Sequence, residues 1–263
     1  MQPVLVTGGT GTLGRVVVAE LLARGAAVRV LSRRARVPTS SGPQAAADLE
    51  WVTGDLRTGA GLAQAVRDVS AVVHCATDVR RPRRDVEGTR RLLAAAREAG
   101  RPHLVYVSIV GVDRIAVPYY RMKLEVERLV ETCGLPWTVL RATQFHDLVE
   151  SALRLLARLP VLVLPAGTDV QPVDVRDVAP RLVDVALAPA AGRVLELGGP
   201  QVRSAPDLAR AYLRATGRRR PLLPVRLPGQ VAHAYRQGAH LTSQHAGGQR
   251  TFEDHLLERH GRP

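Results

Sequence analysis

The 263-residue chain reads as a doubly wound α/β protein on a parallel sheet, with a small C-terminal substrate lobe. Three observations predict this. Short apolar runs alternate with longer amphipathic stretches as far as about residue 141, the rhythm of strand–helix–strand crossovers. Runs such as Val4-Leu5-Val6 and Ala71-Val72-Val73 are apolar throughout, as strands covered on both faces are. Three glycines, Gly8, Gly11 and Gly14, stand at three-residue spacing between the first strand and the first helix.

In order, residues 4–6 are too short for a helix and read as a buried strand. An apolar helix follows, carrying Val16, Val17, Ala19, Leu21 and Leu22, and Gly25 stops it. Residues 27–31 form the second strand, and a polar, proline-containing stretch at 37–48 reads as a flexible loop. The third strand spans 50–56 and ends in Gly54-Asp55-Leu56, with a helix expected over 59–69. A fourth strand covers 71–77. Helix 86–99 is closed by Gly100 and Pro102; strand 104–108, helix 118–134 and strand 137–141 complete the alternation. Beyond that the rhythm loosens: helix 145–159, a short apolar run 161–164, a helix start at 173–179, a strand at 194–197, and a capping box Ser204-Ala205-Pro206-Asp207 before helix 208–216. Residues 217–250 carry many Pro, Gly, Arg and His. The expected division is 1–141, nucleotide-binding, and 142–263, a substrate lobe packed on it in one structural unit.

No run is long and apolar enough to span a bilayer, and a strand beginning within the first few residues leaves no room for a signal peptide. Cys75 and Cys133 are the only cysteines, which makes no disulfide framework and suits a reducing cytoplasm. The formal net charge of +13 raises the question of nucleic acid. The arginines are scattered, and the denser runs (Arg80, Arg81, Arg83, Arg84 and Arg218, Arg219, Arg220) lack interleaved aromatics for base stacking. Most of this charge reads as solvated surface, with neither nucleic acid nor membrane as a partner. Five histidines between His233 and His260 show no spacing suited to a metal, so no metal is expected.

The strand–glycine turn–helix–strand unit is the one that binds a dinucleotide. Gly8 lets the chain turn out of the strand, Gly11 lets backbone amides approach a pyrophosphate, and Gly14 brings the helix close to the sheet; the phosphates sit on the positive end of the helix dipole. A glycine-rich turn without ligand would account for the glycines alone, but not for the surrounding elements. Thr7-Gly8-Gly9-Thr10-Gly11-Thr12-Leu13-Gly14 resembles the T-G-x-x-G-x-x-G signature of short-chain dehydrogenases/reductases in their extended and atypical branches. Thr7, Gly8, Thr10, Gly11, Thr12, Leu13 and Gly14 are thus the expected cofactor cradle. Where an acidic residue would bind the ribose hydroxyls of NAD, at the end of the second strand, the chain has Ser32-Arg33-Arg34. Arg33 and Arg34 suit a 2′-phosphate, so the expected cofactor is NADP(H). The resemblance further implies that Asp55 and Leu56 lie against the adenine, Asp55 also being placed to cap a helix. Cys75, Ala76 and Thr77 should border the cofactor at a strand's carboxyl end.

Tyr119 and Lys123 share a helix face one turn apart, the Y-x-x-x-K spacing of the same family. A tyrosine hydroxyl can protonate a carbonyl that accepts hydride, provided its high pKa falls; a nearby ammonium would lower it and also hold the nicotinamide ribose. Lys123 is the only lysine in the sequence. An arginine fork would replace its compact charge poorly. The neighbouring Tyr120 leaves open which ring faces inward. Ser108, at a strand end, matches the family's Ser or Thr that hydrogen-bonds substrate oxygen, although Ile109 follows where a second serine is common. Tyr106-Val107-Ser108-Ile109-Val110-Gly111, Leu140-Arg141-Ala142-Thr143-Gln144-Phe145 and Gly198-Gly199-Pro200 resemble the atypical, NmrA-like members. That resemblance implies an NADPH-dependent reductase of a small-molecule carbonyl or conjugated double bond, monomeric or homodimeric. A non-catalytic NADP(H)-sensing regulator, and an epimerase or dehydratase that retains its cofactor, stay open.

Overall fold

The computed structural model describes residues 2–34, 48–78 and 81–261. Most of the expected loop at 37–48, and Arg80 of the basic run, lie outside them. Cα packing divides the chain into two compact units: residues 1–108, 118–140 and 179–194, and residues 109–117, 141–178 and 195–263. One boundary falls at 140/141, beside the expected division. The expected contiguous partition misses two segments, however: 109–117 groups with the later part of the chain and 179–194 with the earlier. The second of these carries a strand back into the first unit's sheet.

In the first unit, β1 (Val4–Thr7), β2 (Val28–Ser32), β3 (Leu49–Thr53), β4 (Ala71–His74), β5 (His103–Ile109), β6 (Trp137–Ala142) and β9 (Gly192–Arg193) belong to one seven-stranded sheet of order β3-β2-β1-β4-β5-β6-β9. β1 pairs in parallel with β2 and β4, β2 with β3, β4 with β5, and β6 with β9. The order reverses between β1 and β4, the switch point where such sheets take ligands. Val4, Leu5 and Val6 are at most 2% exposed, and burial of each such side chain contributes about 1.5–3 kcal/mol. Helices α1 (Gly14–Ala23), α2 (Leu62–Ala65), α3 (Pro82–Glu98) and α4 (Pro118–Thr132) connect the strands.

Three expectations are corrected here. Strand β4 stops at His74, not residue 77, because its partner β1 ends at Thr7, where Gly8 (φ +70°) turns away; Cys75 N–H still reaches Thr7 O. The helix expected over 59–69 shrinks to four residues because Gly59 (φ +86°), Gly61 (φ +73°) and Asp68 (φ 54°) all lie outside helical space. Residues 194–197 make no strand: Val194 N–H bonds Val139 O and Leu197 N–H bonds Arg141 O, so three steps on one side match two on the other and the chain bulges.

The second unit carries two small sheets, β7 (Leu162–Pro165) with β11 (Leu222–Val225), parallel, and β8 (Asp169–Val170) with β10 (Arg203–Ser204), antiparallel. Helices α5 (His146–Leu156), α7 (Ala205–Ala215) and α9 (Phe252–His260) bury Leu153, Leu208, Tyr212, Phe252 and Leu256 together. Helix α6 (Val175–Leu187) runs through residues of both units, and α8 (Gln230–Arg236) is short. Ser204 caps α7 as expected, its Oγ accepting from Asp207 N–H. Helix α9 was not foreseen, although its Thr251/Asp254 capping box has the same pattern as the one recognised at Ser204. None of the helices among the described residues is long and apolar enough to cross a membrane.

Candidate active site

The expected cofactor and catalytic residues all fall in the first unit. At the glycine turn, a Cβ on Gly8 would sit 2.6 Å from Ala76 N, so no side chain fits between the turn and the end of β4. A Cβ on Gly14 would collide with Gly8 O rather than with the sheet. Gly14 is therefore needed by the turn itself, a different reason from close helix–sheet packing. The latter belongs to Gly9, whose Cβ would lie 2.7 Å from Val30 Cγ1. Thr10, Gly11 and Thr12 are exposed, whereas Gly9, Leu13 and Gly14 are buried. The N-terminus of α1 has no side-chain cap and no acidic residue in its first turn. Its dipole end is thus uncompensated from within, and the turn suits an anionic group such as a pyrophosphate.

Beyond β2, Arg33 and Arg34 are exposed, with Ser32 Oγ donating to Arg34 O at 2.9 Å. Asp55 is already engaged: Arg57 Nη2 lies 2.6 Å from its Oδ2 and Nε 2.9 Å from the same oxygen. That hydrogen bond from Arg57 holds the Asp55 carboxyl below its ordinary pKa, with Arg33 adding to the effect through space. Sequence reasoning placed Asp55 and Arg33 together but missed Arg57. Leu56 is half-buried and lies close to Gly88 of α3, where an added Cβ would be 3.1 Å from Leu56 Cβ.

The end of β4 is tied to its surroundings by a buried hydrogen-bonded chain. Ala76 N–H donates to Thr7 Oγ1 (3.4 Å), and Thr7 Oγ1 lies 2.7 Å from His74 Nδ1. On the other side, His74 Nε2 is 3.0 Å from Thr89 Oγ1, which donates to Asp85 O at 3.0 Å. With the Thr89 hydrogen committed to Asp85 O, His74 donates from Nε2, and in the neutral ring Nδ1 accepts from Thr7 Oγ1. Burial pushes its pKa down to about 3, with the Lys123 charge acting in the same direction. His74 and Thr89 escaped the sequence reading because a histidine inside an apolar run gives no pattern of its own. Burial also raises the Cys75 thiol to about 12, so it is protonated at neutral pH.

Helix α4 supplies the tyrosine–lysine pair. Tyr119 is half-buried, while Tyr120 is the more deeply buried ring, 6% exposed. Lys123 is 5% exposed; its Nζ donates to Val107 O at 3.0 Å and sits 4.5 Å from the Tyr106 ring centroid. Burial lowers the ammonium to about 8, against opposing effects of Asp85, Cys75 and Glu127. The expected depression of the tyrosine by lysine is absent. Burial raises the Tyr119 phenol, Asp85 adds to the rise, and only Thr77 opposes it. The lysine is spent on a carbonyl and a ring face instead. Ser108 directly follows Val107; its Oγ is buried and has no hydrogen-bond partner among the described residues, so a donor stands unused at the end of β5.

In the second unit, His255 Nε2 and His260 Nε2 lie 3.0 and 3.2 Å from the two oxygens of Glu150. His240 is 1% exposed, with Nε2 2.7 Å from Asp169 O. No group of three or more His, Cys, Asp or Glu able to hold a metal occurs among the described residues.

This geometry agrees with what the chain is similar to. The model of an NAD(P)H-binding family matches residues 8–188. A (4-alkanoyl-5-oxo-2,5-dihydrofuran-3-yl)methyl phosphate reductase of Streptomyces griseus is 32% identical over 281 residues, covering 99% of this chain and 93% of that protein. The photosystem II assembly factor Ycf39 of Trieres chinensis is 32% identical over 206 residues, 74% of this chain, which spans only 63% of that protein's length. Among solved structures, an NADPH-dependent quinone oxidoreductase of Escherichia coli in complex with NADPH superposes with a TM-score of 0.79 at 18% identity, covering 97% of this chain and 99% of that one, which shows a shared fold. The chain belongs to the NAD(P)H-binding family and is a Rossmann-fold protein of the atypical, NmrA-like short-chain dehydrogenase/reductase type.

Proposed function

We propose that the chain is an NADPH-dependent reductase of a small-molecule carbonyl or conjugated double bond. The observation that carries this reading is the setting of Lys123: the one lysine of the sequence, buried, and held by a carbonyl and a ring face one turn from Tyr119. A buried ammonium without a direct carboxylate contact is costly, and such groups concentrate where chemistry is done. The exposed face of the turn at Thr10, Gly11 and Thr12 and the first turn of α1 would hold the pyrophosphate. Arg33 and Arg34 would take the 2′-phosphate, Asp55 and Leu56 would border the adenine, and Cys75, Ala76 and Thr77 the nicotinamide side. Bound there, the coenzyme supplies the hydride. Tyr119, kept neutral by burial, carries the proton for the substrate oxygen or carbon. Ser108 Oγ offers a second donor to that oxygen, and the Lys123 ammonium stabilises negative charge developing beside it.

Support for the substrate class comes from the Streptomyces relative, whose name describes an acyl-substituted dihydrofuranone. The Ycf39 relative supports a second reading, an NADPH-responsive factor that acts by binding another protein. Nicotinamide absorbance, followed with enones, quinones and aldehydes, tests the two. Tyr119-dependent oxidation of NADPH is expected. Binding of NADPH with no oxidation across the panel would favour the second reading, and cofactor that copurifies and cycles without net oxidation would favour an epimerase or dehydratase.

A further inference from the structure

The carboxyl ends of β2 and β3 lie side by side. Ser32 is in register with Thr53, and Gly54 N–H donates to Ser32 O at 2.9 Å. Arg33 leaves one strand and Asp55 the other within two residues of that pairing. Arg33 and Arg34 are exposed and enter no ion pair among the described residues, so their charge is free for a phosphate. Arg57 is held differently. Its Nε and Nη2 lie 2.9 and 2.6 Å from Asp55 Oδ2, and its backbone N–H donates to Asp55 Oδ1 at 2.9 Å. One edge of the guanidinium is thus covered by a carboxylate, while the side chain keeps 48% of its surface exposed. The loop that carries it is closed on itself: Asp55 N–H donates to Ala60 O, and Asp55 O accepts from Thr58 N–H and Gly59 N–H. From α3, Gly88 packs on Leu56, and Arg91 Nη1 lies 3.4 Å from Leu56 O. The guanidinium is therefore oriented before any ligand arrives, which lowers the ordering cost of binding.

We infer that Asp55 and Arg57 act as a unit, in which Asp55 is a positioning residue and the Arg57 guanidinium is a flat platform for the face of the adenine ring. This rests on the coenzyme site proposed above, and it changes the part that Asp55 plays there. The carboxylate holds the arginine rather than accepting from the adenine amino group. Charge and shape favour a base over a phosphate as the ligand of Arg57. A phosphate is held by uncompensated charge and by forked donors, and the Nε–Nη2 fork of Arg57 is already committed to Asp55. A purine instead needs a plane and a cationic face, which a guanidinium paired along its edge still supplies. Leu56, between the two residues in sequence and half-buried, adds an apolar neighbour. The coenzyme would then meet two kinds of arginine at one sheet edge. Arg33 and Arg34 read the 2′-phosphate; Arg57 reads the base and is indifferent to the phosphate.

Calorimetric titration with NADPH and with NADH separates plane from charge, using the parent chain, Arg57→Ala, Arg57→Lys, Arg57→Tyr and Asp55→Asn. Arg57→Ala should weaken both coenzymes by the same factor, about tenfold, leaving the ratio of the two affinities where it was. Arg57→Lys keeps the charge and loses the plane, so it should behave like alanine. Arg57→Tyr keeps a plane and loses the charge, so it should stay within about threefold of the parent. Asp55→Asn can still accept from Arg57 N–H. It should weaken both coenzymes about threefold in the parent and not at all in an Arg57→Ala background, where a residue acting through Arg57 has nothing left to act on. The platform is overturned if Arg57→Ala leaves both affinities unchanged, if it weakens NADPH alone, or if lysine and not tyrosine preserves binding. It is also overturned if Asp55→Asn has the same effect with and without Arg57, which would return Asp55 to the adenine amino group. A parent chain that takes up neither coenzyme would instead strike the coenzyme site itself, and the platform with it.

Discussion

Two sets of buried ionisable side chains answer the same physical problem in opposite ways. In the second unit, Glu150 is 3% exposed and is met by His255, His260 and Arg259, whose Nη1 lies 3.3 Å away. Burial pushes its carboxyl up, but the His255 hydrogen bond and the Arg259 charge outweigh it and hold the pKa below that of an ordinary glutamate. In the first unit, Lys123 is also buried, its Nζ meeting the Val107 carbonyl and the Tyr106 ring face, and burial lowers its pKa to about 8. Glu150 is satisfied on every side and reads as a brace for α9. Lys123 meets no carboxylate in a salt bridge among the described residues, and Ser108 Oγ, next in sequence to the carbonyl that Lys123 meets, has no hydrogen-bond partner among them. Where a fold tolerates such a deficit, the deficit is the place to look for chemistry.

The contrast can be broken experimentally. Tyr119→Phe should cut turnover about a hundredfold or more with NADPH affinity and melting temperature near the parent's; a large loss of stability would make Tyr119 another brace. Glu150→Gln should do the reverse, costing about 3 kcal/mol of stability in denaturant titration while NADPH binding is retained. Lys123→Met sharpens the comparison through pH. Between the folded value of about 8 and the ordinary lysine value of 10.5, the unfolded chain holds a proton that the folded chain has released. Stability therefore rises with pH across that window, by up to about 3 kcal/mol. In Lys123→Met that rise should flatten, and parent and variant unfolding curves measured from pH 7 to 10 would differ least at the alkaline end. The smallest effect is expected at the rim: Arg33→Ala with Arg34→Ala should reduce the preference for NADPH over NADH about tenfold, with NADH affinity little changed, as read by calorimetry.

Legibility in the sequence followed the same divide. The glycine turn, the alternation of strands and helices up to β6 and the Tyr119–Lys123 spacing are local patterns, so they could be read directly. Asp85, Thr89 and His74 could not, because their meaning lies in contacts between residues far apart in sequence. Arg57 was hidden among many arginines. Gly14 was placed correctly for a reason that differs from what its missing Cβ avoids. Helix α9 is different again: its capping box was written plainly in Thr251-Phe252-Glu253-Asp254 and was passed over among the prolines and histidines that precede it.

The single ε-amine of this sequence, lowered to about 8, also makes the protein its own reporter. Below pH 9 an unprotonated amine fraction is available that ordinary lysines lack, so an acylating reagent that discriminates against the α-amine would mark one atom only. The rate at which that atom is covered, with coenzyme present and absent, would read occupancy of the fold's centre without any knowledge of what is being reduced.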